Sequence, residues 1–84
     1  MPEPDPLDVA IGSLIRQLRL DKGVTQEQLG GAMEVSFQQI QKYEKGTNRI
    51  SVSGLIKVAA FLDVSPTLFL DVDPLDRRTD ETLH

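Results

Sequence analysis

Two short stretches constrain this chain more than anything else in it: Thr25-Gln26-Glu27-Gln28 and Ser36-Phe37-Gln38-Gln39. In each, a hydroxyl residue is followed three positions later by glutamine. That is the capping-box pattern: the hydroxyl accepts a first-turn N–H and the glutamine reaches back to the cap's own N–H. The first box opens a helix expected over about Gln26 to Met33, with Leu29 and Met33 facing inward. The second opens a helix expected to run to about Lys45 and to stop at Gly46. The second start comes only a few residues after the first helix ends, so the two helices must form a tight αα corner.

The flanking sequence reads as further helices. Asp5-Pro6-Leu7-Asp8 supplies a capping aspartate, proline at the first helical position and an acid near the positive end of the helix dipole. From there, Leu7, Ile11, Leu14, Ile15 and Leu18 recur at helical spacing, predicting a first helix from about Pro6 to Lys22. Lys22-Gly23 is its stop signal, and Gly12 within it implies close approach of another helix. Ser51 or Ser53 caps a fourth helix with Leu55, Ile56, Val58, Ala59 and Leu62 on its apolar face. Ser65-Pro66-Thr67 begins a short fifth helix containing Leu68 and Phe69. No strand pattern or repeat is present. The expected organisation is a flexible arm over 1–5, a helical domain over 6–70 and an acidic, disordered tail over 71–84.

Charge sharpens this division. The chain carries a net −4, yet Val9 to Phe69 holds seven basic residues against five acidic ones. The acidity sits in the flanks, so a basic patch on the domain is compatible with the acidic total. There is no cysteine, and the single histidine is the terminal His84, so disulfides, thiolate metal sites and histidine general-base chemistry have no residues to use. No carboxylate pair is placed for acid–base work, and no enzyme activity, metal or cofactor is expected. The longest apolar run, Val58 to Leu62, is too short to span a bilayer. The N-terminus lacks the pattern of a signal peptide. The expected location is the cytoplasm, in association with the nucleoid.

The segments Val24 to Leu29, Val35 to Gly46 and Leu55 to Phe69 resemble the Xre/Cro family of phage-repressor-like helix-turn-helix domains, in a match covering about Ile11 to Phe69. The resemblance implies an all-α, compact five-helix bundle of the lambda-repressor type, with its third helix in the major groove of DNA. It implies base contacts from Phe37, Gln38, Gln41 and Lys42. Backbone contacts are implied for Gln26, Lys45, Thr47, Asn48 and Arg49. Arg19 and Glu44 match a family ion pair tying the first helix to the third. The chain departs from the family where Glu34 replaces the usual turn glycine and where Gly30 replaces alanine, a change expected to loosen the second helix.

The residue chemistry gives these roles content. Gln38 can donate and accept at once, which suits the adenine edge. Lys42, one turn on, can reach guanine or a phosphate. Gln39 is spaced to complete the Ser36 capping box. Tyr43 is expected in the core with its hydroxyl at the edge. Phe37 has two readings: an apolar i,i+3 pair with Ile40 inside, or an outward position against a thymine methyl group. The function implied is a homodimeric transcriptional regulator, a repressor, on a palindromic DNA operator. Its dimer surface is expected around Val64, Leu68, Phe69 and Leu70. The alternative is a protein-interaction module, such as an antitoxin or coactivator-like adaptor, binding its partner through the acidic C-terminal tail.

Overall fold

The structure, a computed structural model, describes residues 3–73 of the chain. Among these residues four α-helices and one 3-10 helix follow one another: α1 (Pro6–Asp21), α2 (Gln26–Met33), α3 (Phe37–Lys45), α4 (Val52–Leu62) and the 3-10 helix Pro66–Leu70. The tail expected to be disordered lies, from residue 74 on, outside the described residues.

Every helix begins on a side-chain cap. Asp5 accepts from the Leu7 N–H at 2.8 Å, with Pro6 fixing the first helical position. Thr25 and Gln28 form both halves of the capping box, at 3.0 and 2.8 Å. Ser36 accepts from the Gln39 N–H at 3.2 Å, and Ser51, not Ser53, accepts from Gly54 N–H at 3.0 Å. The box at α3 is only half formed, because the Gln39 side chain turns to Asn48 instead.

The fifth element is a correction to the five-α-helix expectation. Over Pro66–Leu70 the chain makes a 3-10 helix, with Leu68 N–H donating to the Ser65 carbonyl. A five-residue segment is too short to build up the run of i→i−4 bonds that makes an α-helix cooperative. The segment still has a structural task, since Phe69 is fully buried.

The core is Ile15, Leu29, Met33, Ile40, Leu55, Val58, Ala59, Leu62 and Phe69, with Ile11, Leu14, Leu18, Tyr43 and Val64 packed around it. Two residues assigned inward by spacing face out: Leu7 and Ile56 are exposed. Leu7 sits in the first turn of α1. Ile56 flanks the stripe of Leu55, Val58, Ala59 and Leu62 and points past it.

Backbone contact sets two details. A Cβ on Gly12 would run into the Tyr43 carbonyl and lie 2.8 Å from the Glu44 oxygen, so α1 and α3 approach too closely for any side chain there. Gly30 behaves alike: a Cβ would meet the Val35 carbonyl oxygen at 2.7 Å. It permits the tight packing of α2 on the start of α3, and does not merely loosen α2. The turn between these helices keeps a left-handed residue even without glycine, with Glu34 at φ 59° and ψ 39°. A non-glycine residue there costs about 1–2 kcal/mol.

Candidate nucleic-acid interface

α3 presents two chemically different sides. Ile40 and Glu44 are buried, whereas Phe37, Gln38, Lys42 and Lys45 are exposed and Gln41 is half-buried. At about 100° per residue, Phe37, Gln38, Gln41, Lys42 and Lys45 occupy an arc of about 140° on the outward side. Phe37 is 40% exposed and stands outside the buried core. The face therefore combines two amides, two ammonium groups and one aromatic ring, with no acid on it. Tyr43 is half-buried against the core.

The inner side of α3 is bolted to the rest of the domain. Arg19 Nε donates to Glu44 Oε2 at 2.6 Å and Arg19 Nη2 to Glu44 Oε1 at 3.0 Å, a two-point pair between α1 and α3. Arg19 Nη1 also donates to the Val24 carbonyl at 2.9 Å, fixing the loop before α2. The carboxylate bound to it holds the Arg19 guanidinium above its ordinary pKa, and burial opposes that only in part. From Glu44 the network continues outward. Gln26 Nε2 donates to Glu44 Oε1 at 3.1 Å, and Gln41 Nε2 donates to Gln26 Oε1 at 3.2 Å. One chain of polar contacts thus runs from α1 through α3 to the first residue of α2, and surfaces at Gln41.

That surface point is concave. Gln26, Gln41, Glu44 and Lys45 line a hollow of about 150 Å³ together with Arg16. Arg16 was not among the residues singled out from the sequence. It lies one turn before Arg19 on the same side of α1, and that i,i+3 spacing was the signal available. With Glu44 already paired to Arg19, the hollow offers two cations and two amides beside the positive end of α2.

The loop after α3 is arranged differently. Thr47 Oγ1 donates to the Lys42 carbonyl at 3.2 Å, and Asn48 Nδ2 to Gln39 Oε1 at 3.3 Å. Both side chains thereby help close the end of α3. Arg49 turns away from them to α1: its Nε lies 3.2 Å from both Asp8 oxygens, and its Nη2 3.5 Å from Asp5. The Asp8 hydrogen bond, then the charges of Asp8 and Asp5, raise the Arg49 pKa. The structure therefore gathers Gln26, Gln41, Lys45, Arg19 and Glu44 in one place. It sets Phe37, Gln38 and Lys42 on the adjoining open face and leaves Arg49 at the far end of the loop.

A profile of the helix-turn-helix family matches residues 15–69. An HTH-type transcriptional regulator of Sinorhizobium medicae is 45% identical over 74 residues, which cover 88% of this chain and 53% of that protein. The chain thus spans about half the length of this relative. The clp gene regulator ClgR of Corynebacterium glutamicum superposes with a TM-score of 0.73 at 35% identity, over 81% of this chain and 87% of that one. The biofilm master regulator SinR, solved in complex with DNA, gives a TM-score of 0.66 at 34% identity, over 73% of this chain and 98% of the SinR chain in that complex. Profile, sequence relatives and fold agree: the chain belongs to the Xre/Cro, phage-repressor-like family of helix-turn-helix proteins.

Proposed function

We propose that residues 6–70 form a sequence-specific double-stranded DNA-binding domain of a transcriptional repressor. The observation that carries this reading is the outward face of α3. Gln38, Gln41 and Lys42 project from a helix whose inner side is fixed by the Arg19–Glu44 pair. Rigid placement matters because base readout depends on side chains meeting fixed donor and acceptor patterns in the major groove. Gln38 and Lys42 read bases, Phe37 packs on a thymine methyl group, and Gln41 reads beside them. Gln26, Lys45 and Arg16 grip the phosphate backbone at the α2 end, and Thr47, Asn48 and Arg49 meet it at the other. SinR, whose structure was solved on DNA, shares the fold.

One such module contacts too few bases for high specificity. The functional unit is accordingly a homodimer on a palindromic operator, its two α3 helices about 34–36 Å apart. The self-contacting surface is the end of α4 with the 3-10 helix, where Phe61, Leu68 and Leu70 are exposed. Phe69, expected on that surface from the sequence, belongs to the core, and Val64 is half-buried against it.

The test is selection of bound duplexes from a random library at near-physiological salt. An enriched motif with two-fold symmetry supports the dimeric reader. An enriched single half-site supports DNA reading and removes the dimer. No enrichment removes the DNA reading and leaves the adaptor alternative.

A further inference from the structure

Arg49 is the outlier among the residues assigned to the DNA backbone, because its charge is already engaged. It borders an open hollow of about 600 Å³ whose other charged members are Glu3, Asp5 and Asp8. The partners are unequally free. The Asp8 side chain is 15% exposed and set in the first turn of α1, whereas that of Arg49 is 71% exposed and reaches over it from the loop. The carboxylate is the fixed member and the guanidinium the movable one. A guanidinium grips a phosphate by two parallel N–H bonds along one edge of its fork. Here the Nε–Nη2 edge faces Asp8 and Asp5. A phosphate brought to Arg49 meets a carboxylate already on that edge. Asp8 and Asp5 both lie well within a Debye length of it, which is about 10 Å at 0.1 M salt.

We propose that Asp8, supported by Asp5, is a built-in competitor for the phosphate that Arg49 takes up. DNA binding at this end of the domain is then an exchange of carboxylate for phosphate. Phosphate contacts are blind to sequence. Weakening one lowers affinity for every duplex alike and leaves discrimination to the base contacts of α3. Asp8 thus limits retention on non-operator DNA. This inference rests on the DNA-binding reading above.

The experiment measures dissociation constants and their salt dependence for the full chain on a selected duplex and on a scrambled one. The proteins are the wild type, D8N, D5N, R49A and D8N/R49A. Each newly neutralised phosphate adds about 0.9 to the slope of log affinity against log salt. D8N is therefore expected to tighten both duplexes by the same factor, about three- to tenfold at 0.1 M salt, with a steeper salt slope. In the R49A background the gain from D8N shrinks markedly. D5N gives a smaller gain in the same direction, and its asparagine still caps α1, so it carries the test should D8N fold poorly. If D8N binds no tighter, or more weakly, while the wild type still prefers the selected duplex, the competitor role is wrong and the DNA reading stands. An undiminished D8N gain without Arg49 also overturns the exchange, leaving simple repulsion. A wild type that binds neither duplex removes both readings.

Discussion

Replacing Arg19 with methionine tests the framework on which the α3 face depends. The two side chains of the pair are only 8% and 3% exposed. Without Arg19, Glu44 loses two bonds, at 2.6 and 3.0 Å, and retains only the one from Gln26 at 3.1 Å. The Val24 carbonyl loses its partner too. A buried charge stripped of its counter-ion costs about 3–5 kcal/mol. A domain of this size sits at the low end of the usual range, about 5 kcal/mol of total stability. R19M should therefore lower the melting temperature by at least about 12 °C, taking about 4 °C per kcal/mol, and leave a sizeable unfolded fraction at growth temperature. The double variant R19M/E44L removes both charges, and apolar replacements of a buried pair are often neutral. It should be more stable than R19M alone, with a coupling of at least about 2 kcal/mol across the cycle. Urea and thermal unfolding followed by far-UV circular dichroism read both quantities. If R19M melts within a few degrees of the wild type, or the two substitutions simply add, the pair does not hold α1 to α3.

Four further outcomes follow from the geometry. G12A should destabilise by about 1–3 kcal/mol despite alanine's better helix propensity, because its methyl group meets the Tyr43 and Glu44 carbonyls. G31A, with nothing within 4 Å of its Cβ position, should stabilise by up to about 1 kcal/mol in the same unfolding assay. E34G should raise stability by about 1 kcal/mol by relieving the left-handed glutamate at φ 59°, without changing DNA affinity once both proteins are folded. Alanine at Gln38 or Lys42 should cost about 1–3 kcal/mol of binding to a selected duplex and relax preference at particular base pairs, read by repeating the library selection with each variant.

Much of the fold was legible because local signals agreed with the tertiary ones. Caps, Pro6 at the first position of α1 and 3.6-residue periodicity gave the starts of α1 to α3, narrowed that of α4 to Ser51 or Ser53, and picked out most of the core. The misses share a cause: spacing reports a direction around a helix, not what lies there. Leu7 and Ile56 recur at helical spacing with the buried residues, yet about half of each side chain stays exposed. Gly30 reads only as a weak helix former, yet a carbonyl from another segment forbids a side chain there, whereas at Gly12 the expected close approach of another helix is what the Tyr43 and Glu44 carbonyls make. Only the path of the chain from α2 into α3 could reveal the crowding at Gly30, and no local pattern encodes it.

At the interface the limit is different, because polar side chains have more than one possible partner. The family resemblance implied an outward place for Gln38 and Lys42 on α3, and both are exposed there. Gln26, Gln41, Asn48 and Arg49 each carry a hydrogen bond within the protein. The amides can keep their internal bond and still offer a second donor or acceptor outward, since each has two N–H groups and a carbonyl. For Gln26 and Gln41 the internal bond is then preorganisation, holding a ready-made donor beside the α2 terminus. Arg49 differs in kind. Its internal partners are carboxylates, which repel any phosphate that the guanidinium would attract, so under the proposed function its bond would be exchanged and not kept. The sequence shows an arginine in a loop and two aspartates more than forty positions away. That these three meet follows only from the turn at Gly46, where the backbone passes so close to Val9 that a Cβ would lie 2.6 Å from its Cα. A glycine required for packing thus decides which charge the loop arginine faces.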